Sequence, residues 1–240
     1  MKSNNQRIIV LDTETTGMNK DGGPHYEGHR IIEIGAVEIV NRKLTGRHFH
    51  VYIKPNRLVD PEAIAVHGIT DDFLADKPSY AEIHQEFVEF IQGAELVAHN
   101  APFDVGFINH EFSLFDPAQA EVESFCKITD TLALARQQFP GKRNNLDVLC
   151  ERFGIDNSHR TLHGALLDAE ILADVYLLMT GGQTSMVLEH GGTSIANDDS
   201  SSSQPKHRKL RVIKATEQEL TEHEARLNTI AGKGACLWRN

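Results

Sequence analysis

Cysteine is scarce in this 240-residue chain, and its three copies, Cys126, Cys150 and Cys236, lie far apart with no CxxC pair. That spacing argues against both a disulfide framework and a zinc ribbon, so a bound metal would sit mainly on oxygen ligands. Long apolar runs are missing too. A membrane-spanning helix needs about 20 apolar residues, whereas the richest stretch, Ile31 to Val40, is interrupted by Glu33 and Glu38. At the N-terminus only Ile8 to Leu11 precede Asp12, too short for the apolar region of a signal peptide. These absences predict a soluble, cytoplasmic protein with no membrane partner. Positive charge is the third shortage: 24 Lys and Arg face 34 Asp and Glu, a formal net charge of −10. Residues 1–180 carry −11 of it and residues 181–240 carry +1. Nucleic-acid affinity comes largely from Lys and Arg displacing counterions. Residues 1–180 would therefore meet nucleic acid through a local site or through affinity borrowed from a partner.

What is present reads as an α/β domain. Ile8-Ile9-Val10-Leu11 is a β-branched-rich run, Ile31 to Val40 a second, and Phe49, Val51 and Ile53 alternate as a third strand. Ser79 and Glu82 form a capping box before Ile83, Phe87, Val88 and Ile91, whose spacing is helical, and Gly93 ends that helix. Glu95 to Ala98 is a short buried strand. Asn100-Ala101-Pro102 then predicts a cap and first-turn proline for a helix through Phe112. Phe125 to Ile128 reads as another strand, Asp130 to Gln138 as a helix, and Gly164 to Met179 as a helix apolar almost all round. Strands first, then strands and helices alternating, predict a mixed sheet flanked by helices in a domain spanning 1–180. Beyond it, residues 189–205 are rich in Gly, Ser, Asn and Asp, which predicts a flexible linker over 181–205, with a span of about 25–30 Å for the 23 residues from Gln183 to Pro205. In 206–240 a basic stretch precedes a second capping box, Thr216 with Glu219, and a helix with a thin apolar stripe. A segment so small cannot bury its own core and is expected to fold against a partner.

Chemistry collects at three places. Asp12-Thr13-Glu14 sets two carboxylates at i and i+2, which a strand points to one face. Alone, D-x-E is a common tripeptide. His99-Asn100-Ala101-Pro102-Phe103-Asp104 puts Asp104 at a strand-to-helix junction, where sites collect in parallel sheets, although a helix-start aspartate needs no further role. His163 and Asp168 are separated by about 140° of helical rotation, so they converge only if His163 sits in the preceding loop or at the first turn, with Gly164 giving backbone freedom. Asp168 interrupts an apolar helix, where an unpaired carboxylate would cost several kcal/mol. Four carboxylates make an oxygen-only ligand set suited to Mg²⁺ or Mn²⁺. Two such ions held about 3.5–4 Å apart can clamp a phosphodiester displacement. A histidine is then a suitable general base.

DTETTG at 12–17, HNAPFD at 99–104 and HGALLDA at 163–169 together resemble the three motifs of the DEDDh 3′-to-5′ exonucleases, of the ribonuclease H-like fold. HYEGHRIIEIGAVE (25–38), LVDPEAIAVHGI (58–69), FPGKRNNLD (139–147) and RTLHGALLDAEILADVYL (160–177) narrow the resemblance to the proofreading subunits of bacterial DNA polymerase III. The resemblance implies a proofreading 3′-to-5′ DNA exonuclease in which Asp12, Glu14, Asp104 and Asp168 bind two divalent cations, Mg²⁺ or Mn²⁺, and His163 is the base. It implies that Glu62 and His67 contact the terminal nucleotide, that Thr13, Asn100 and Phe103 line its pocket, and that Asp12 and Glu14 also meet the substrate. In isolation His67 reads as a helix-capping histidine and Phe103 as core. The tail carries the same resemblance: Gln183, Met186 and Leu188, in the peptide 183–188, look like a sliding-clamp motif, with Leu188 where an aromatic often stands. Trp238 is the expected anchor on the polymerase catalytic (alpha) subunit, and a small theta subunit is the expected cover of the exonuclease domain. Two rivals stand beside this reading: an RNA-processing exonuclease of the same fold, and a non-catalytic scaffold, whose signature would be a missing ligand.

Overall fold

The computed structural model describes residues 7–158, 162–181 and 215–232. The chain divides into two units, residues 1–186 and 187–240. In the first, β1 (Arg7–Thr15), β2 (Ile31–Val40) and β3 (Lys43–Tyr52) form an antiparallel meander, and β4 (Glu95–Ala98) and β5 (Lys127–Asp130) extend it in parallel. The order β3-β2-β1-β4-β5 is the mixed sheet expected from the sequence. Asn41 and Arg42, both at positive φ, form the two-residue turn between β2 and β3, whose last facing pair is Val40 with Lys43.

Alternation along the strands sorts the core onto two faces. Ile9, Leu11, Ile34, Leu96 and Ala98 pack against α3 (Tyr80–Ile91) and α4 (Ala101–Phe115), where Phe87, Phe107 and Phe112 fill the interior. Val10, Val37, Ile39 and Val97 face the other way, onto Leu172, Ala173 and Tyr176 of α7 (Ala165–Thr180). Leu149 and Cys150 of α6 (Leu146–Phe153) join Val175 and Met179 of α7 in a further cluster, with Ala135 of α5 (Thr131–Gln138). The helix that reads as apolar all round is thus covered on both sides. A shorter pair, α1 (Pro61–His67) and α2 (Asp71–Leu74), follows β3.

Several boundaries differ from expectation. The third strand starts six residues before Phe49, because hairpin pairing carries exposed residues that alternation alone does not mark. The fifth strand begins at Lys127, two residues beyond Phe125, which caps a single 3-10 turn at Val122–Ser124. Asn100 does not cap α4 with its side chain; it sits at φ 73°, and Asp130 Oδ1 accepts instead from the Asn100 and Ala101 amides. Asp130 also caps its own helix through the Leu132 amide at 2.9 Å, so one carboxylate organises both helix starts at this edge of the sheet. In the second unit α8 (Glu217–Ala231) starts at the predicted Thr216–Glu219 capping box. The peptide 183–188, the linker to residue 205, the basic stretch 206–214 and Trp238 lie outside the described residues.

Candidate active site

Asp12 and Glu14 occupy the last pleats of β1, on the face that carries Val10 and looks toward α7. Asp12 stands opposite Gly35 in the antiparallel register, and Glu14 opposite Glu33. The absent side chain of Gly35 brings α7 close: a Cβ there would lie 2.1 Å from the Leu166 amide nitrogen and 2.2 Å from the Ala165 carbonyl carbon. The first turn of α7 is thereby held against β2 next to Asp12, and Asp168 comes with it, 2% exposed.

His163 lies in the loop before α7, as its convergence with Asp168 requires, with its amide bonded to the Val66 carbonyl at 3.2 Å. Its Nδ1 is 3.3 Å from Asp168 Oδ2. Ligand atoms of Glu14, His163 and Asp168 all fall within 4.8 Å of one another, a group able to hold a metal ion. Gly164 supplies no special freedom: its φ of −157° is extended backbone open to any residue, and a Cβ there would meet nothing within 4 Å. The glycine the geometry needs is Gly35, not Gly164.

Asp12 and Asp104 stand outside that group of three. Asp104 is buried in the first turn of α4 and accepts a hydrogen bond from Thr13 Oγ1 at 2.8 Å. Thr13 alternates to the sheet face opposite Asp12 and Glu14, and meets α4 there. Burial pushes the Asp104 carboxyl up to about 7, against the downward pull of the Thr13 hydroxyl. Its ionisation therefore opposes folding: with the folded pKa above the unfolded one, stability is lost as pH rises from about 4 to about 7. Metal-free Asp104→Asn should melt at a higher temperature than the metal-free wild type at pH 8, with the gap closing toward pH 4. A pH series of melting temperatures in chelator checks this, and equal melting temperatures at pH 8 would refute it.

Beside the carboxylates is a cavity of about 280 Å³, lined by Glu14, Met18, Glu62, Val66, His67 and Phe103 among others. Helix α1 forms one wall, tied to the end of β1 by the Asp60 amide and Thr16 carbonyl at 2.9 Å. His67 is buried at the C-terminal end of α1, where Gly68 closes the helix at φ 76°. Its Nδ1 accepts from the Ile69 amide at 3.0 Å, which places the proton of the neutral ring on Nε2. Burial lowers its pKa and favours that neutral form. Glu62 is exposed and paired with Lys20. Phe103 is half-buried and stacked on His25, with ring centroids 4.9 Å apart. Thr13 and Asn100 are not among the lining residues.

Sequence reasoning passes over Met18 and Val66, both exposed apolar residues at this cavity, and Glu33. Glu33 is 2% exposed, faces Glu14 across the strands and meets His50 Nε2 at 2.7 Å. A glutamate inside the apolar run Ile31 to Val40 is its signal.

Comparison with known proteins agrees with this geometry. A family model described as Exonuclease matches residues 9–176. The DNA polymerase III subunit epsilon of Escherichia coli (strain K12) is 61% identical over 237 residues, covering 97% of each chain. That of Haemophilus influenzae is 54% identical over 246 residues, covering 98% of this chain and 95% of its own. Among solved structures, exonuclease X in complex with 5′ overhanging duplex DNA has 26% identity and a TM-score of 0.53, over 72% of this chain and 91% of its own. E. coli exonuclease I in complex with a dA16 oligonucleotide, at 19% identity and a TM-score of 0.62, covers 74% of this chain and 41% of its own, and shares the fold. The chain belongs to the family of DNA polymerase III epsilon subunits, the 3′-to-5′ proofreading exonucleases of DNA replication.

Proposed function

We propose that Asp12, Glu14, Asp104 and Asp168 hold two divalent cations, Mg²⁺ or Mn²⁺, and that His163 is the general base of phosphodiester hydrolysis. The convergence of Glu14, His163 and Asp168 beside the cavity carries this reading. The donor set fits hard cations: four carboxylates with no thiolate, one of them, Asp104, held high by burial where a nearby cation would restore its ionised form. When bound, such ions would act as Lewis acids on the attacking water and stabilise charge on the phosphate. The protein's own groups do the rest. Asp168 orients the imidazole through Nδ1, so that Nε2 takes the proton of the attacking water. Thr13 holds the Asp104 carboxylate through its hydroxyl.

In the cavity, the Phe103 ring offers a stacking surface to the unpaired terminal base, His67 a wall beside the nucleotide, and Glu62 a carboxylate at the rim. Hydrolysis there releases nucleoside 5′-monophosphates. Stacking on an aromatic contributes about 1–3 kcal/mol per base, so Phe103→Ala should raise KM by about 5- to 150-fold with a much smaller change in kcat. Steady-state kinetics on single-stranded DNA measures it, and an unchanged KM would remove Phe103 from the pocket. The remaining assignments rest on resemblance alone: that of the tail for Trp238 on the catalytic alpha subunit and for Gln183, Met186 and Leu188 on the sliding clamp, and that of the whole chain for theta on the exonuclease domain, within a cytoplasmic replisome. The capped helix α8 supports a folded docking element.

The overall test is Mg²⁺-dependent release of monophosphates from primers paired or mispaired at the 3′ end, comparing wild type with Asp12→Ala. Loss in the variant with faster release at mispaired ends is expected. Equal release by both proteins would overturn the assignment.

A further inference from the structure

The first unit is acidic, yet one of its clefts is not. At the carboxyl end of β4 and β5, a cavity of about 450 Å³ is lined by His99, Arg136, Lys142, Arg143 and Asn144, among others. Residues 131–145 hold three cations and no carboxylate, in a chain with 34 acidic side chains. All three cations are exposed. None of them forms an ion pair among the described residues.

The loop that presents them is built rather than loose. Asn144, 6% exposed, donates through Nδ2 to the carbonyls of Lys142 at 3.1 Å and Phe139 at 3.4 Å. Arg152 of α6 donates to Asn144 Oδ1 and to the Arg143 carbonyl, each at 2.9 Å, while its guanidinium lies 4.2 Å from the centre of the Phe139 ring. Lys142 and Arg143 are therefore held in place from behind, with their own charges unspent.

Position gives the cleft its meaning. Asp12 and Glu14 leave the carboxyl end of β1, and Asp104 follows the carboxyl end of β4. His99 follows that same end of β4, and Arg136 lies on the helix after β5. Parallel neighbours sit about 4.8 Å apart, so the basic cleft lies one strand over from the carboxylates, along the same edge of the sheet. A strand whose 3′ terminus is at the carboxylates has its next phosphates within reach of that edge.

We propose that this cleft binds the phosphate backbone of the DNA strand upstream of its cleaved 3′ end, with Arg136, Lys142 and Arg143 as the contacting groups. The inference rests on the exonuclease activity and adds a second point of attachment to it. It also explains how so acidic a unit holds a polyanion: affinity comes from a local group of cations, while the rest of the surface repels non-specific binding.

The test uses the full chain with Mg²⁺, comparing wild type with the triple variant Arg136→Gln, Lys142→Gln, Arg143→Gln on oligonucleotides of two to ten nucleotides. On the dinucleotide, too short to reach the cleft, the two proteins should have equal kcat and KM, which also shows that the variant folds. On the decanucleotide KM should rise by about tenfold at unchanged kcat. The slope of log KM against log salt should flatten by about 0.7 for each phosphate that the variant no longer neutralises. Equal KM and salt slope at every length would overturn the proposal and leave the cleft to an acidic protein segment. An equal loss at two and at ten nucleotides would overturn it too, as a defect of the active site itself. A wild type that cleaves no oligonucleotide would instead refute the exonuclease reading.

Discussion

Asp168→Asn should lower kcat for Mg²⁺-dependent cleavage by at least about 10³-fold without lowering the melting temperature of the metal-free protein. Two functions meet at this carboxylate. It stands within 4.8 Å of Glu14 in the group proposed to hold cations, and it contacts His163 at 3.3 Å. An amide has nearly the same shape, but it loses the negative charge and half of its accepting capacity. Loss of the base alone accounts for about 10²–10⁴ in rate, so His163→Ala should fall in that range and the double variant should be little worse than Asp168→Asn. Non-additivity of this kind is expected of groups that act as a unit. Stability should move the other way, because burying a carboxylate at 2% exposure is costly and an amide is less so. Single-turnover kinetics with a thermal melt in chelator measures both. A variant retaining a tenth of wild-type activity would place the chemistry elsewhere.

Gly35→Ala is the second large expected effect, at a residue with no chemistry of its own. Its Cβ would sit 2.1 Å from a backbone nitrogen of α7, and backbone cannot swing aside as a side-chain tip can. Either β2 or the start of α7 must shift. Overpacking of this kind costs about 1–3 kcal/mol, and in a domain of this size each kcal/mol lowers Tm by about 2–4 °C. The shift also moves Asp168 and His163 away from Asp12 and Glu14, and a misplacement of about 1 Å can cost about 10²-fold in rate. Gly164→Ala, beside His163, should leave Tm and kcat close to wild type, since its backbone is extended and its surroundings are open. The opposite ranking of the two glycine variants, by melting temperature and kcat, would refute this account of how α7 is seated.

Much of the candidate site is legible in the sequence because its local signals agree. The i, i+2 carboxylates of Asp12 and Glu14 need only strand alternation to share a face. The capping boxes at Ser79 and Thr216 are short-range hydrogen-bond patterns, and both helices begin where those patterns place them. The five-residue offset between His163 and Asp168 already excludes one regular helix, and the structure puts His163 in the loop. Less legible are features made by residues far apart in sequence. The cap of α4 comes from Asp130, thirty residues away, so the adjacent Asn100 misleads. Helix α6 is short, only eight residues between its Asn145 cap and terminal Gly154.

By itself the sequence determined the alternation of strands and helices, the three motifs and the family to which they belong, because each depends on neighbours a few positions apart. Only the tertiary structure decided which glycine the site requires, that Thr13 serves Asp104 on the opposite sheet face, and that Glu33 stands across from Glu14. It also decided that the cations of 136–143 line one cleft at the edge of the sheet that carries the carboxylates. Those relations depend on strand register and on the close approach of a helix to a sheet. Register and approach are set by packing across the whole core, which no local window of sequence contains.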